Sequence, residues 1–334
     1  MKALLCKAYG PPESLVVEEV PDPQPGPGEV VIAVTAASVN FPDVLIIDNK
    51  YQVKPPLPFS PGCEAAGVVH RVGDGVTNVK PGDRVMAITT YGAFAEQVVV
   101  AADRVVRTPD GMPDVTASAF LLTYVTSDHG VRDRGELKAG ETLLVLGAAG
   151  GVGLAAVEIG KAVGARVIAC ASSDEKLAVC REHGADDTID YATADLRTEI
   201  KRLTGDRGVD VVLDPVGGKL SEPVLRSMAW RGRFVVAGFA AGEIPKIPLN
   251  LTLLKGCSIV GVYLGAFAKH EPAKFADCVQ QLFRWYADGR LKPRIDRTFP
   301  LDRAADAISY MAGRHVRGKV VVTTTLRHTV APRQ

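Results

Sequence analysis

The residues best suited to chemistry lie at 147–153: Gly147-Ala148-Ala149-Gly150-Gly151-Val152-Gly153. They follow the apolar run Glu141-Thr142-Leu143-Leu144-Val145-Leu146 and precede a stretch in which Val152, Ala156, Ile159 and Val163 recur on one helical face. Strand, glycine turn and helix in that order make a dinucleotide fingerprint, with Ala148 at the first glycine position, Gly150 at the second and Gly153 at the third. Gly150 and Gly151 let the backbone approach a pyrophosphate, and amides from Ala149 to Val152 at the helix N-terminus meet its charge. Gly153 lets helix and strand pack closely. A turn that serves packing alone is the alternative, and the strand before and helix after weigh against it.

The next strand selects the dinucleotide. An acidic residue about 20 positions on, at that strand's tip, would hold the ribose diol of NAD. Here the strand Arg166–Ala171 ends in Ser172 and Ser173, and Lys176 follows within one turn of the next helix. Hydroxyls with a cation suit a 2′-phosphate, which a carboxylate would repel. Asp174 and Glu175 read as helix N-terminal acids, although either could turn toward a ribose. The cofactor favoured is NADPH over NADH.

These residues need a scaffold. From about residue 141 short apolar strands alternate with helices: Asp174 to His183 is a helix stopped by Gly184, and Val209–Leu213, Arg233–Ala237 and Ser258–Tyr263 are further strands. That alternation predicts an α/β fold with a doubly wound parallel sheet. The first ~120 residues read differently, as strands between Pro/Gly turns, among them Glu29–Thr35, Arg84–Ile88 and Gln97–Val100. The tail supplies helices at 275–288 and 304–311 and a strand at 319–324, and is expected to return to the first domain. The chain has 334 residues, 47% hydrophobic and 23% charged with a net charge of +1, which predicts two domains and gives no field to attract nucleic acid or an anionic membrane. With no signal peptide and no apolar membrane span, the expected location is the cytoplasm. Cys6, Cys63, Cys170, Cys180, Cys257 and Cys278 include no C-x-x-C pair and read as reduced core residues.

AAGGVGLAAVEIGKAVGARVIA resembles the nucleotide-binding core of the quinone oxidoreductases, within the medium-chain dehydrogenase/reductase superfamily. The likeness runs along almost the whole chain. It includes Asn40-Phe41-Pro42-Asp43, Pro61-Gly62-Cys63-Glu64-Ala65-Ala66-Gly67-Val68-Val69, Val79-Lys80-Pro81-Gly82-Asp83-Arg84-Val85 and Gly318-Lys319-Val320-Val321. The resemblance implies a GroES-like, mainly β catalytic domain over 1–124 and 265–334 and a Rossmann domain over 125–264. It places Ser173, Lys176 and Tyr191 at the 2′-phosphate, and Asn40 and Thr123 beside the nicotinamide. Asp214, Val216, Gly217, Gly238, Phe239 and Leu264 fall where strand ends line the dinucleotide. It also implies a homodimer formed by edge pairing of the last Rossmann strand, near Ser258 to Leu264.

Zinc alcohol dehydrogenases share this architecture but carry Cys where this chain has Asn40 and His where it has Cys63. Three protein ligands cannot then be assembled, so no metal is expected. The implied reaction is hydride transfer from NADPH to a quinone or another conjugated carbonyl, with Asn40, Tyr51 and Thr123 as candidate donors to the developing oxyanion. Leu45 stands where some members carry a tyrosine, which makes the pocket more apolar. One alternative is an enoyl-thioester (acryloyl-CoA-type) or α,β-unsaturated aldehyde or ketone reductase, with Arg132, Arg134 and Lys138 available to a CoA phosphate. The other is an NADPH-binding protein without turnover.

Overall fold

A computed structural model describes residues 1–324 and separates the chain into two compact units, Met1–Leu121 with the chain from Ile295 on, and Leu122–Arg294. The first unit opens with strands β1 (Lys2–Leu5), β2 (Val16–Glu19), β3 (Glu29–Val39), β4 (Glu64–Val72), β5 (Arg84–Ile88), β6 (Gln97–Ala101) and β7 (Val105–Arg107). The eleven-residue β3 is its spine, antiparallel to both β4 and β6. A strand flanked on both edges is inaccessible to water, which suits its run of Val, Ile and Ala. Val30, Ile32 and Val34 from β3 join Phe94, Ile46 and Ile47 in the core of this unit.

The second unit holds β8 (Thr142–Leu146), β9 (Arg166–Ala171), β10 (Asp187–Asp190), β11 (Val209–Asp214), β12 (Met228–Val236) and β13 (Ser258–Gly261). They form one parallel sheet in the order β10-β9-β8-β11-β12-β13. The chain starts in the middle at β8, works outward to β10, then crosses back to β11. The order reverses between β8 and β11, so the ends of these two strands flank the crevice where such sheets bind ligands. Every residue of β8 and β11 is buried, as expected of central strands. The helix Gly151–Val163 ends at Gly164 in the left-handed region, φ 92°, the stop that its sequence announces.

Strands β14 (Ile295–Pro300) and β15 (Lys319–Thr323) complete the first sheet, ordered β14-β15-β3-β4-β5-β7 with β6 also on β3. The chain from Ile295 on thus belongs to the first unit. The segment 265–294, assigned by sequence to the first domain, belongs to the second unit. Its helix Pro272–Ala287 is held there by specific contacts. Cys278 Sγ lies 3.1 Å from Asp128 Oδ2, and the Trp285 ring carries the Arg132 and Arg290 guanidiniums at 5.0 and 5.6 Å. The last parallel strand is also shorter than expected. It ends at Gly261, and Leu264 opens the helix Leu264–His270, which buries Phe267 flat against His129 at 3.9 Å. Residues 325–334, also assigned to the first domain, lie outside the described residues. No helix among the described residues is long and apolar enough to cross a membrane.

Candidate functional site

The sequence-predicted dinucleotide residues collect at the C-terminal edge of the parallel sheet. Directly after β8, Gly147 turns with φ +58°, and a Cβ there would meet Val216 Cγ2 at 2.7 Å. A Cβ on Gly153 would lie 2.3 Å from the carbonyl oxygen of Gly147 and 2.7 Å from Ala148 Cα. Backbone cannot move aside as a side chain can, so Gly153 is what lets the helix sit against the strand. Gly150 is different. Its φ is −79°, and the nearest atom to an added Cβ is Gly147 O at 3.4 Å. The fold does not demand glycine there, and the bare backbone is left open on that side. Leu154 N takes the carbonyl of Gly150 at 2.7 Å, so the amides of Gly151, Val152 and Gly153 have no acceptor within the helix. Ala149 is buried just before them.

At the tip of β9, Ser173 is the N-cap of the helix Asp174–Glu182, its Oγ accepting from Lys176 N at 3.4 Å. Lys176 Nζ folds back and donates to Ser172 Oγ at 3.0 Å. The expected hydroxyl-and-cation pair is therefore assembled from Ser172 and Lys176, with Ser173 fixing the backbone between them. Asp174 and Glu175 occupy the helix's first turn, where its dipole favours acids. Tyr191 follows β10; its amide donates to Ala171 O at 3.0 Å, which sets it beside the end of β9.

Across the switch point, the buried Asp214 is committed to its own turn. Oδ1 accepts from the amides of Val216 and Gly217, both at 2.8 Å, and Oδ2 from Ser221 Oγ at 2.6 Å. It shapes the strand end and leaves the backbone of Val216 and Gly217 to line it. Gly217, φ +70°, has the Phe239 ring behind it at 2.8 Å from an added Cβ, and Gly238 N donates to Asp214 O at 3.3 Å. Leu264 is the first residue of its short helix, beyond β13.

The first unit holds a second polar group, at one end of its sheet. The β3–β4 register pairs Ala37 with Ala65, and the β15–β3 register pairs Val320 with Val39. One residue further along, Ser38 comes opposite Glu64 and Lys319 comes opposite Asn40. Ser38 Oγ donates to Glu64 Oε2 at 2.7 Å. Lys319 Nζ donates to Asn40 Oδ1 and lies 3.7 Å from Glu64 Oε2. Asn40 Nδ2 donates to Ser38 O, Ser38 Oγ and Glu64 Oε2 at 3.2, 3.1 and 3.4 Å. The carboxamide read from the sequence as an oxyanion donor is therefore turned inward, both its ends engaged. Its backbone amide and that of Gly62 donate to Asp43 at 2.7 and 3.0 Å, Asn40 capping the helix Phe41–Ile47. The sequence placed Lys319 only in the closing strand and gave it no part in the site; its signal was a lone charge opening an otherwise apolar strand.

This donor set does not fit a zinc ion. An ammonium already lies against Asn40 and Glu64. Burial, reinforced by Asp43 and Glu64, pushes the Cys63 thiol well above its ordinary pKa, so it is no ready thiolate. Among the described residues no group of three or more His, Cys, Asp and Glu side chains is placed to hold a metal. His129, the histidine nearest in kind to a ligand, lies in the second unit with Nδ1 2.8 Å from Asp133. Of the other candidate donors, Tyr51 packs half-buried on the first unit's core, whereas the buried Thr123 belongs to the second unit.

Burial pushes the Asp43 carboxyl up to about 7, against the lowering influence of the Asn40 and Gly62 amides and of Lys319. A folded-state value above the unfolded one means that the fold prefers the protonated acid. The stabilisation is complete below the unfolded value of about 4 and is lost as pH rises toward about 7. Asp43 is expected to lower stability by up to about 1.4 kcal/mol per pH unit across that window. Urea unfolding at a series of pH values should show this slope in the wild type and a flatter one in Asp43→Asn; equal slopes would contradict it.

Comparison with known proteins places these features. The model of the alcohol dehydrogenase GroES-like domain matches residues 26–110, and that of the zinc-binding dehydrogenases matches residues 151–283. The quinone oxidoreductase-like protein 2 homolog of Nematostella vectensis is 38% identical over 327 residues, covering 97% of this chain and 89% of that protein. The crystal structure of Escherichia coli quinone oxidoreductase complexed with NADPH matches with a TM-score of 0.91 at 29% identity, covering 97% of this chain and 100% of that one. The Pseudomonas syringae quinone oxidoreductase matches with a TM-score of 0.91 at 33% identity, covering 96% and 99%. With a Rossmann sheet in one unit, a GroES-like sheet in the other and likeness from end to end, the chain belongs to the quinone oxidoreductase family of the medium-chain dehydrogenases/reductases.

Proposed function

We propose that the protein is an NADPH-dependent oxidoreductase that delivers hydride to a quinone or another conjugated carbonyl without zinc. The observation that carries the reading is the pairing of an open glycine turn at Gly150 with a Ser172–Lys176 contact at the strand tip where an NAD enzyme would present a carboxylate. The E. coli relative, at 29% identity, was crystallised with NADPH. The residues present fit that cofactor. Amides of Gly151 to Gly153 would receive the pyrophosphate, Ser172, Ser173, Lys176 and Tyr191 the 2′-phosphate, and the backbone from Val216 to Gly217 and at Gly238, with Phe239 and Leu264, the rest of the dinucleotide.

When bound, NADPH supplies the hydride. A quinone or enone already delocalises the incoming charge, so the protein's part is to hold the acceptor, exclude water and donate to the developing oxyanion. Tyr51 and Thr123 are the hydroxyls proposed for that donation. Asn40, turned inward onto Glu64 and Lys319, is better suited to tying β3 to β4 and β15 within the first unit. The enoyl-CoA alternative is weakened at Arg132, whose guanidinium is bound to Asp128 and lies over Trp285. A homodimer in the cytoplasm completes the proposal. Strand β13 is the last of its sheet, with Ile259 41% exposed and Tyr263, just beyond its end, 58% exposed, an edge that a second copy would cover.

Titration by cofactor fluorescence tests the reading. NADPH is expected to bind at least about tenfold more tightly than NADH, and Lys176→Ala to bring the two within about threefold, the loss of one charge-assisted contact. An unchanged ratio in the variant would remove the phosphate site. Turnover with 1,4-benzoquinone, crotonyl-CoA and simple enones then identifies the acceptor; NADPH bound but oxidised by none would leave a binding protein without catalysis.

A further inference from the structure

The helix Gly151–Val163 does more than present its N-terminus. Its eighth residue, Glu158, has a side chain only 3% exposed, at a position where an apolar side chain would pack without desolvating a charge. The carboxylate is fully used. Tyr124 Oη donates to Oε2 at 2.7 Å, His183 Nδ1 donates to Oε1 at 2.5 Å, and the amide of Lys292 reaches both oxygens at 3.1 Å. Two of these partners stand at the ends of the second unit. Tyr124 is just past the point where the chain enters it, at Leu122, and Lys292 is just short of the point where it leaves, at Arg294.

Both ends are tied to the same helix a second time. On the incoming side Ser127 Oγ donates to Val152 O at 2.7 Å, in the helix's first turn. On the outgoing side Arg290 donates to Ala162 O, in its last turn. The incoming segment is itself irregular, with π-helical turns at Leu121–Val125 and His129–Arg134 around a single α-helical turn. Such turns are rare and occur frequently at functional sites.

We propose that Glu158 is the positioning residue through which the helix opening at the glycine turn holds both crossings of the chain, so that a dinucleotide bound at its N-terminus orders the backbone where the chain enters and leaves the second unit. A helix transmits a restraint along its axis, about 1.5 Å per residue. Fixing the amides of Gly151 to Gly153 therefore restrains Glu158 two turns on, and with it Tyr124 and Lys292. The inference rests on the cofactor reading for its trigger, but Glu158 and its partners Tyr124, His183 and Lys292 are not among the residues proposed to hold the cofactor.

Hydrogen exchange of the full chain with and without NADPH tests it. In the wild type, NADPH is expected to slow exchange at 148–153 and, by about tenfold, at 122–126 and 290–294. In Glu158→Leu the slowing at 148–153 persists and that at both crossings disappears. In Tyr124→Phe only the 122–126 response is lost. Glu158→Gln, which keeps one acceptor oxygen and the helix intact, gives an intermediate response at both crossings even if the leucine variant folds poorly. Slowing at 148–153 alone in the wild type, or crossings that respond equally in Glu158→Leu and Glu158→Gln and in the wild type, would overturn the inference and leave the cofactor reading standing. No slowing anywhere in the wild type would overturn both.

Discussion

Gly153→Ala is expected to lower the stability of the protein by about 3 kcal/mol or more and to abolish measurable NADPH binding. The added methyl would lie 2.3 Å from Gly147 O and 2.7 Å from Ala148 Cα, and no rotamer relieves a clash between a Cβ and backbone. The helix has to move off β8 or the turn has to open, and either displaces the amides of Gly151 and Val152. Gly150→Ala separates folding from binding at the same loop. Its φ of −79° suits alanine and its nearest contact, at 3.4 Å, is ordinary. Stability should therefore stay within about 1 kcal/mol of the wild type while NADPH affinity falls. Thermal melts together with cofactor titrations measure both. A Gly153→Ala protein that melts with the wild type would show that the helix does not sit on the strand as described.

The contrast between these two glycines also shows what the sequence could and could not reveal. Strand, turn and helix around 147–153 were legible because three local signals agree: an apolar run, a glycine cluster and a 3.6-residue period. Strand β9 was legible to the residue for the same reason. Strand β10 and the helix Leu196–Thr204 were not identified. Of β10 only Ile189 is buried, and Asp187, Thr188 and Asp190 read as loop. The incoming segment from Leu121 to Arg134 was missed because π-helical turns have no apolar period of their own. The division of the tail was misplaced for a different reason. Nothing local distinguishes a helix that packs on one unit from a helix that packs on the other. The choice is made by long-range contacts such as Cys278 with Asp128 and Trp285 with Arg132.

Site residues followed the same rule. Ser172 and Lys176 are neighbours in sequence, and their contact could be foreseen. Asn40 was read as a donor beside the nicotinamide, and its partners lie 24 and 279 positions away at Glu64 and Lys319. Only the registers of β3 with β4 and β15 bring them together. A carboxamide alone suggests a donor for substrate; one with a lysine on its oxygen and a carboxylate on its nitrogen is part of the framework.

That framework gives the second large effect. Lys319→Met is expected to destabilise the protein by about 3–5 kcal/mol, the cost of leaving a buried charge without its partner. Glu64 is fully buried and Lys319 nearly so, with side-chain exposures of 0% and 5%. Lys319 also donates to Val39 O at 3.4 Å and to Asn40 Oδ1, so its loss leaves the Glu64 charge without its cation and Asn40 Oδ1 without this donor. Burial lowers the ammonium's pKa, and Glu64 is the strongest influence opposing that, so the two charges hold each other in place. Glu64→Gln alone should be destabilising by a similar mechanism, since it strands the ammonium. The double variant Lys319→Met with Glu64→Gln should recover much of the loss, because neither charge is then buried alone. Urea unfolding of the four proteins closes this cycle, and a coupling of about 2 kcal/mol or more is expected at both low and high salt, since a pair shielded from water is little screened. Additive losses in the two single variants would mean that the two groups do not sense each other, and Lys319 would then be a buried anchor for β15 rather than the cation at the centre of this cluster.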